Sequence, residues 1–214
     1  MVSKQEQRAE ETKKTILIAA GKLFSERGYD SVTMRQIAKE AGCSHTTIYL
    51  YFKDKEALLH QLSMPFLHDL YQQLQQISLM DTISAEDRLK RISRKYIHFC
   101  LVNRNMYSIF INAKSSKVDE ENPDLEINKL RVKMFGIIKQ VLGECLGIPN
   151  NEQLIAYSRI FFFNINGVLN TYSYPHEPIE VLMERLTPTF DLSIEILIIG
   201  IKEKLKRGED KDEN

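Results

Sequence analysis

The 214-residue chain has no apolar run approaching the ~18 residues that a membrane-spanning helix needs, so an integral membrane protein is not expected. It has only three cysteines, Cys43, Cys100 and Cys145, at no CxxC spacing and with no signal peptide ahead of them. The expectation is a cytoplasmic protein with reduced thiols and no membrane partner. Net charge is missing too: 29 Lys and Arg balance 29 Asp and Glu. Residues 1–60 hold ten basic against eight acidic side chains, too small an excess to indicate nucleic-acid binding from charge alone. A Gly-rich phosphate loop, an HExxH helix and a GxSxG elbow are all absent. His45, His60, His68, His98 and His176 stand at no ligand spacing with carboxylates or cysteines. The chain is therefore not read as an enzyme, and no metal or cofactor is implied.

What is present is concentrated in residues 33–59, TMRQIAKEAGCSHTTIYLYFKDKEALL. Thr33 and Gln36 have the spacing of a capping box that starts a helix near Met34. Ile37, Ala38 and Ala41 give that helix one buried face. Gly42 follows where a left-handed residue lets the chain turn sharply. Ser44 is placed to cap a second helix, in which Ile48 and Phe52 point inward. Ser44, His45, Thr46, Thr47, Tyr49 and Tyr51 remain on or near the outer side. Asp54 caps the next helix, and Lys55 sits in its first turn. Two short helices about a glycine turn form a helix-turn-helix, and an outward row of hydroxyls and tyrosines suits phosphate oxygens and thymine methyls. Cys43, beside the turn, reads as a small buried hydrophobe, with a redox switch as the alternative.

These residues resemble a known family. The runs Ile16 to Tyr29, Thr33 to Gly42 and Ser44 to Leu58 are similar to the amino-terminal domain of TetR/AcrR-type transcriptional regulators, over roughly residues 10–60, about a quarter of the chain. Cys43 stands where a valine is usual, and His45 where the family often has lysine, which leaves the operator sequence open. The resemblance implies that Thr33 and Arg35 touch phosphates. It places Ser44, His45, Thr46, Thr47 and Tyr49 in or beside the major groove, with Tyr51 and Lys55 clamping the flanking backbone. The plainer alternatives are Thr33 as a cap only, Tyr49 as a packed aromatic and Arg35 as a solvated charge.

The rest of the chain reads as helix, so the expected fold is all-α with about nine helices. A helix-turn-helix domain would cover 1–54, a ligand-binding and dimerisation domain 55–207, and a polar tail 208–214. A helix from Glu56 to about Ile77 is interrupted by Pro65, as a hinge or as a fit to the core. Ala85–Val102 carries Leu89, Ile92, Tyr96 and Phe99 on one face, and Arg88, Lys90, Arg91, Arg94 and Lys95 on a face read as solvated. A short helix Met106–Ala113, a loop Lys114–Pro123 and a helix Leu125–Leu146 stopped by Gly147 follow. The last two expected helices, Asn151 to about Tyr172 and Phe190–Ile201, are apolar on nearly every side, the second capped by Thr187 with Pro188 in its first turn.

Helices of that kind do not stay exposed on a monomer this small. A two-fold dimer is expected, with Phe161, Gly167, Phe190, Ile194, Leu197, Ile198 and Ile201 at its interface. The resemblance implies the same pairing, a palindromic double-stranded DNA operator, and a small, partly apolar effector that releases a repressor. Candidate pocket walls are Phe66, Met106, Tyr107, Phe110, Phe135, Phe162 and Phe163, with Asn166 and Asn170 as polar handles. A ligand-independent activator and a helical adaptor that keeps the head fold are the alternatives.

Overall fold

A computed structural model describes residues 3–103, 126–172 and 177–212, with backbone alone for 208–212. Among the described residues the chain is all-helical: α1 Lys4–Arg27, α2 Met34–Glu40, α3 His45–Tyr51, α4 Lys55–Ser78, α5 Ala85–Val102, α6 Glu126–Leu146, α7 Glu152–Thr171 and α8 Ile179–Asp212. None of these helices is long and apolar enough to cross a membrane. The expected helix Met106–Ala113 and loop Lys114–Pro123 lie outside the described residues. The chain forms two compact units that divide within α4, between Leu67 and His68.

The first unit is built on short helices whose ends are chemically fixed. Thr33 accepts from the Gln36 amide at 3.3 Å while Gln36 Oε1 accepts from the Thr33 amide at 2.8 Å. Gly42 takes φ 68°, and the Cys43 amide returns to Ala38 O at 3.0 Å. That left-handed residue closes α2 and reverses the chain, a conformation that costs any residue with a Cβ. Ile16, Leu23, Phe24, Ile37, Ile48, Phe52 and Leu58 meet in one core.

In the second unit α5 is central and packs on α6, α7 and α8. Its face of Leu89, Ile92, Tyr96 and Ile97 is buried, as its periodicity requires. The opposite face departs from expectation. Lys90 Nζ lies 2.5 Å from Glu195 and 3.0 Å from Glu86, Arg94 Nε donates to Asp191 at 2.7 Å, and Arg88 Nη2 lies 2.8 Å from Glu144. Arg88, Lys90 and Arg94 are thus tied to neighbouring helices, while Arg91 and Lys95 are exposed.

A second departure is α8, which begins at Ile179 and runs on through Pro188. Thr187 is therefore no cap; its hydroxyl donates back to Met183 O at 2.5 Å. In α7 the buried stripe is Leu154, Tyr157, Phe161, Ile165 and Leu169. In α8 it is Leu182, Leu186, Phe190, Ile194, Ile198 and Ile201. Spacings of three and four put each stripe on one face, and both stripes are consumed by the core of the second unit.

Candidate nucleic-acid interface and ligand centre

The outward surface of the first unit is set by α3. Ile48 is fully buried and Phe52 nearly so, which fixes the rotation of this helix. Ser44 caps it, accepting from the Thr47 amide at 2.9 Å, and its hydroxyl also lies 2.7 Å from Thr47 Oγ1. Ser44 and Thr47 are thus partly engaged in holding the helix. His45, Thr46 and Tyr49 are exposed, and the His45 and Tyr49 rings meet edge to face at 5.1 Å. Tyr51 is half-buried against the head core. Leu50, which the sequence reading passed over, is 78% exposed. Its signal was its place four residues after Thr46, on the ridge opposite Ile48.

Beside this helix lies an open cleft of about 590 Å³ lined by Ser31, Thr33, Arg35, Gln36, Ala38, Lys39, Cys43 and His45. Arg35 and Lys39 are exposed and one turn apart. Thr33 is exposed, but its hydroxyl is committed to the capping box. Burial pushes the Cys43 thiol above its ordinary value, so little of it is thiolate at neutral pH. That disfavours the redox reading.

Lys55 is the clearest correction in this unit. Its ammonium donates to Tyr29 O at 2.7 Å and Val32 O at 2.9 Å, and stands 4.1 Å from the centre of the Tyr29 ring. These partners precede it by 26 and 23 residues and gather the loop before α2 against α4. Lys55 thus joins parts of the head rather than reaching outward as a phosphate clamp. Charge-assisted bonds of this kind contribute about 1.5–3 kcal/mol. Lys55→Met is expected to lower the thermal midpoint by several degrees in circular dichroism. A variant that melts like the parent yet loses DNA affinity would return Lys55 to the interface.

The second unit holds an aromatic centre among α5, α6 and α7. Phe162 lies 6.3 Å from Tyr96 and 6.0 Å from Phe135, ring centre to ring centre. One turn along α7, Asn166 donates to Phe162 O at 3.0 Å while its Oδ1 is buried with no hydrogen-bond partner among the described residues. One turn before Phe135, Arg131 lies near Tyr96, and burial lowers its pKa from the ordinary arginine value. Of the candidate pocket residues, Phe135, Phe162 and Asn166 thus come together. Asn170 is exposed. Phe66 and Phe163 are exposed as well and are withdrawn as pocket walls, because each stands on a helix face turned from its own unit's core. Met106, Tyr107 and Phe110 lie outside the described residues.

Most of the residues expected at a dimer interface lie inward. Phe161, Phe190, Ile194, Ile198 and Ile201 are buried in the core of the second unit, and Leu197 is half-buried. The outward apolar residues include Ile160 and Phe163 on α7, with Val181, Leu192, Ile196 and Ile199 on α8. The Ser193 hydroxyl lies 3.3 Å from Asn164 Oδ1, which sets these two faces side by side. Gly167 and Gly200 are exposed on them, and a Cβ at either would meet no atom within 4 Å. Among the described residues nothing requires glycine there.

Residues 16–62 match the family model described as bacterial regulatory proteins, tetR family. The uncharacterized HTH-type transcriptional regulator YdgC of Bacillus subtilis (strain 168) is 31% identical over 90% of this chain and 85% of its own. The fatty acid metabolism regulator protein of the same organism is 27% identical over 64% of this chain and 68% of its own. A crystal structure of the transcriptional regulator FadR from Bacillus subtilis in complex with stearoyl-CoA matches with TM-score 0.57 at 22% identity, covering 86% of this chain and 97% of that one. At that identity the likeness is one of fold.

Proposed function

The chain belongs to the tetR family of bacterial regulatory proteins, and from that premise we propose that it is a cytoplasmic repressor that binds a palindromic operator as a homodimer and is released by a long-chain acyl thioester. The observation that carries the DNA reading is the exposed set on α3, His45, Thr46, Tyr49 and Leu50, on a helix locked in rotation by Ile48 and Phe52. These side chains enter the major groove, while Thr33 at the cap of α2, with Arg35 and Lys39 on that helix, approaches phosphates from the cleft beside it.

The dimer forms through the outward faces of α7 and α8. Asp191 and Glu195, the acidic residues in that stretch of α8, are engaged by Arg94 and Lys90 of the same subunit, and this leaves Leu192, Ile196 and Ile199 as a ridge free of charge. A contiguous apolar surface of this kind marks an interface, and Gly167 and Gly200 let a partner helix come close.

For the effector, the supporting features are the ring cluster of Tyr96, Phe135 and Phe162, with the desolvated Arg131 cation and the buried Asn166 Oδ1, which has no partner among the described residues, one turn away. An apolar centre with a few convergent polar groups suits an acyl chain with a polar head. The relative named for fatty acid metabolism and the stearoyl-CoA complex of a fold neighbour supply the class. Stearoyl-CoA is expected to weaken operator affinity by roughly 5–150-fold, the usual size of an allosteric coupling, with coenzyme A alone inert, as read by fluorescence anisotropy. An operator complex indifferent to acyl thioesters of every chain length would remove this effector class and leave the DNA reading standing.

A further inference from the structure

Sequence discrimination in the major groove has few chemical solutions. Arginine or lysine reads guanine, asparagine or glutamine reads adenine, acidic side chains read cytosine, a serine or threonine hydroxyl makes single bonds to donors or acceptors alike, and apolar groups meet the 5-methyl of thymine. The sequence of α3, HTTIYLY, contains no Arg, Lys, Asn, Gln, Asp or Glu. Of its two threonines, Thr47 is bonded to Ser44 through both its amide and its hydroxyl, which reduces what it offers to a base. The outermost ridge is then Thr46 and Leu50, one turn apart and opposite the buried Ile48.

At 78% exposure, Leu50 is the most exposed large hydrophobic among the described residues, and it takes no part in the head core. A lone surface leucine is ordinary. Here it occupies a helix whose outer face lacks every side chain able to make a bidentate base contact. We infer that Leu50, with the methyl of Thr46 beside it, selects its half-site by packing on thymine 5-methyl groups, so that the base pairs beneath α3 are A·T with a fixed strand orientation. This rests on the DNA reading proposed above and adds to it the basis of operator choice.

The test uses the full-length chain and the duplex it selects from a random pool, with thymine replaced by uracil one position at a time. Uracil keeps every hydrogen-bonding group and lacks only the methyl. At one or more positions per half-site the replacement is expected to weaken binding about fourfold, and roughly 15-fold when made in both halves, from the burial free energy of one methyl group. Leu50→Ala, at an exposed position where folding is not at stake, is expected to bind the thymine duplex as weakly as the parent binds the uracil duplex, and to distinguish the two less than twofold. A Leu50→Ala protein that keeps the full thymine preference would overturn the assignment, as would a parent indifferent to every replacement. Failure to enrich any duplex would instead overturn the DNA reading on which it stands.

Discussion

Glutamate at both Ile196 and Ile199 is expected to yield a folded monomer whose operator affinity falls by roughly 10²–10⁴-fold, the usual range lost when two linked binding events become one. The two isoleucines are 61% and 66% exposed on the subunit, so their replacement removes no internal packing and circular dichroism should be unchanged. In the dimer they would lie under the partner, where a carboxylate without a counter-charge costs several kcal/mol. Lys90 and Arg94, the cations that α5 brings to this stretch, already face Glu195 and Asp191 and are not free to relieve it. Sedimentation velocity reads the mass and anisotropy the affinity. A variant that still sediments as a dimer would place the interface elsewhere.

Moving the same substitution by one residue is expected to give the opposite phenotype. Ile198 is 1% exposed and continues the stripe of Phe190 and Ile194 into the core beside α5. Ile198→Glu both removes a packed side chain and buries an unpaired carboxylate, a combination of the kind that exceeds about 4–5 kcal/mol. Against a total stability of about 5–15 kcal/mol, that should lower the melting temperature by roughly 10–20 °C or prevent folding. A well-folded Ile198→Glu monomer would show that the rotation of α8 is wrong.

The contrast between these neighbours marks where the sequence stops being informative. Head features follow local rules, so the Thr33 and Gln36 box, the turn at Gly42 and the inward pair Ile48 and Phe52 were all legible from spacing. Periodicity needs polar residues to mark the outer face, and the segments around Phe161 and Ile198 have few. Phe161, Phe162 and Phe163 are consecutive and look alike, yet one is buried in the core, one joins the ring cluster and one is 63% exposed. The same gap hid which apolar residues of α7 and α8 face outward.

Long side chains were the other blind spot. Whether Lys55 reaches phosphate or the carbonyls of Tyr29 and Val32 depends on partners far back in the chain. Arg94 and Lys90 find theirs 97 and 105 residues ahead, so a basic helix face that looked solvated is a seam between helices. Pro188 suggested a helix start because proline favours that place, but the packing of Leu182 and Leu186 carries α8 back past it. Leu50 was missed because leucine is ordinarily read as core.

Selection of bound duplexes from a random pool by the unmodified protein, followed by the mass of the complex it forms, bears on the whole picture at once. The expected result is an inverted repeat with half-site centres about 34–36 Å apart, one turn of DNA, occupied by an even number of chains and weakening steeply as salt rises. Recovery of no common sequence, or of a single unrepeated element holding one chain with an affinity indifferent to salt, would contradict it.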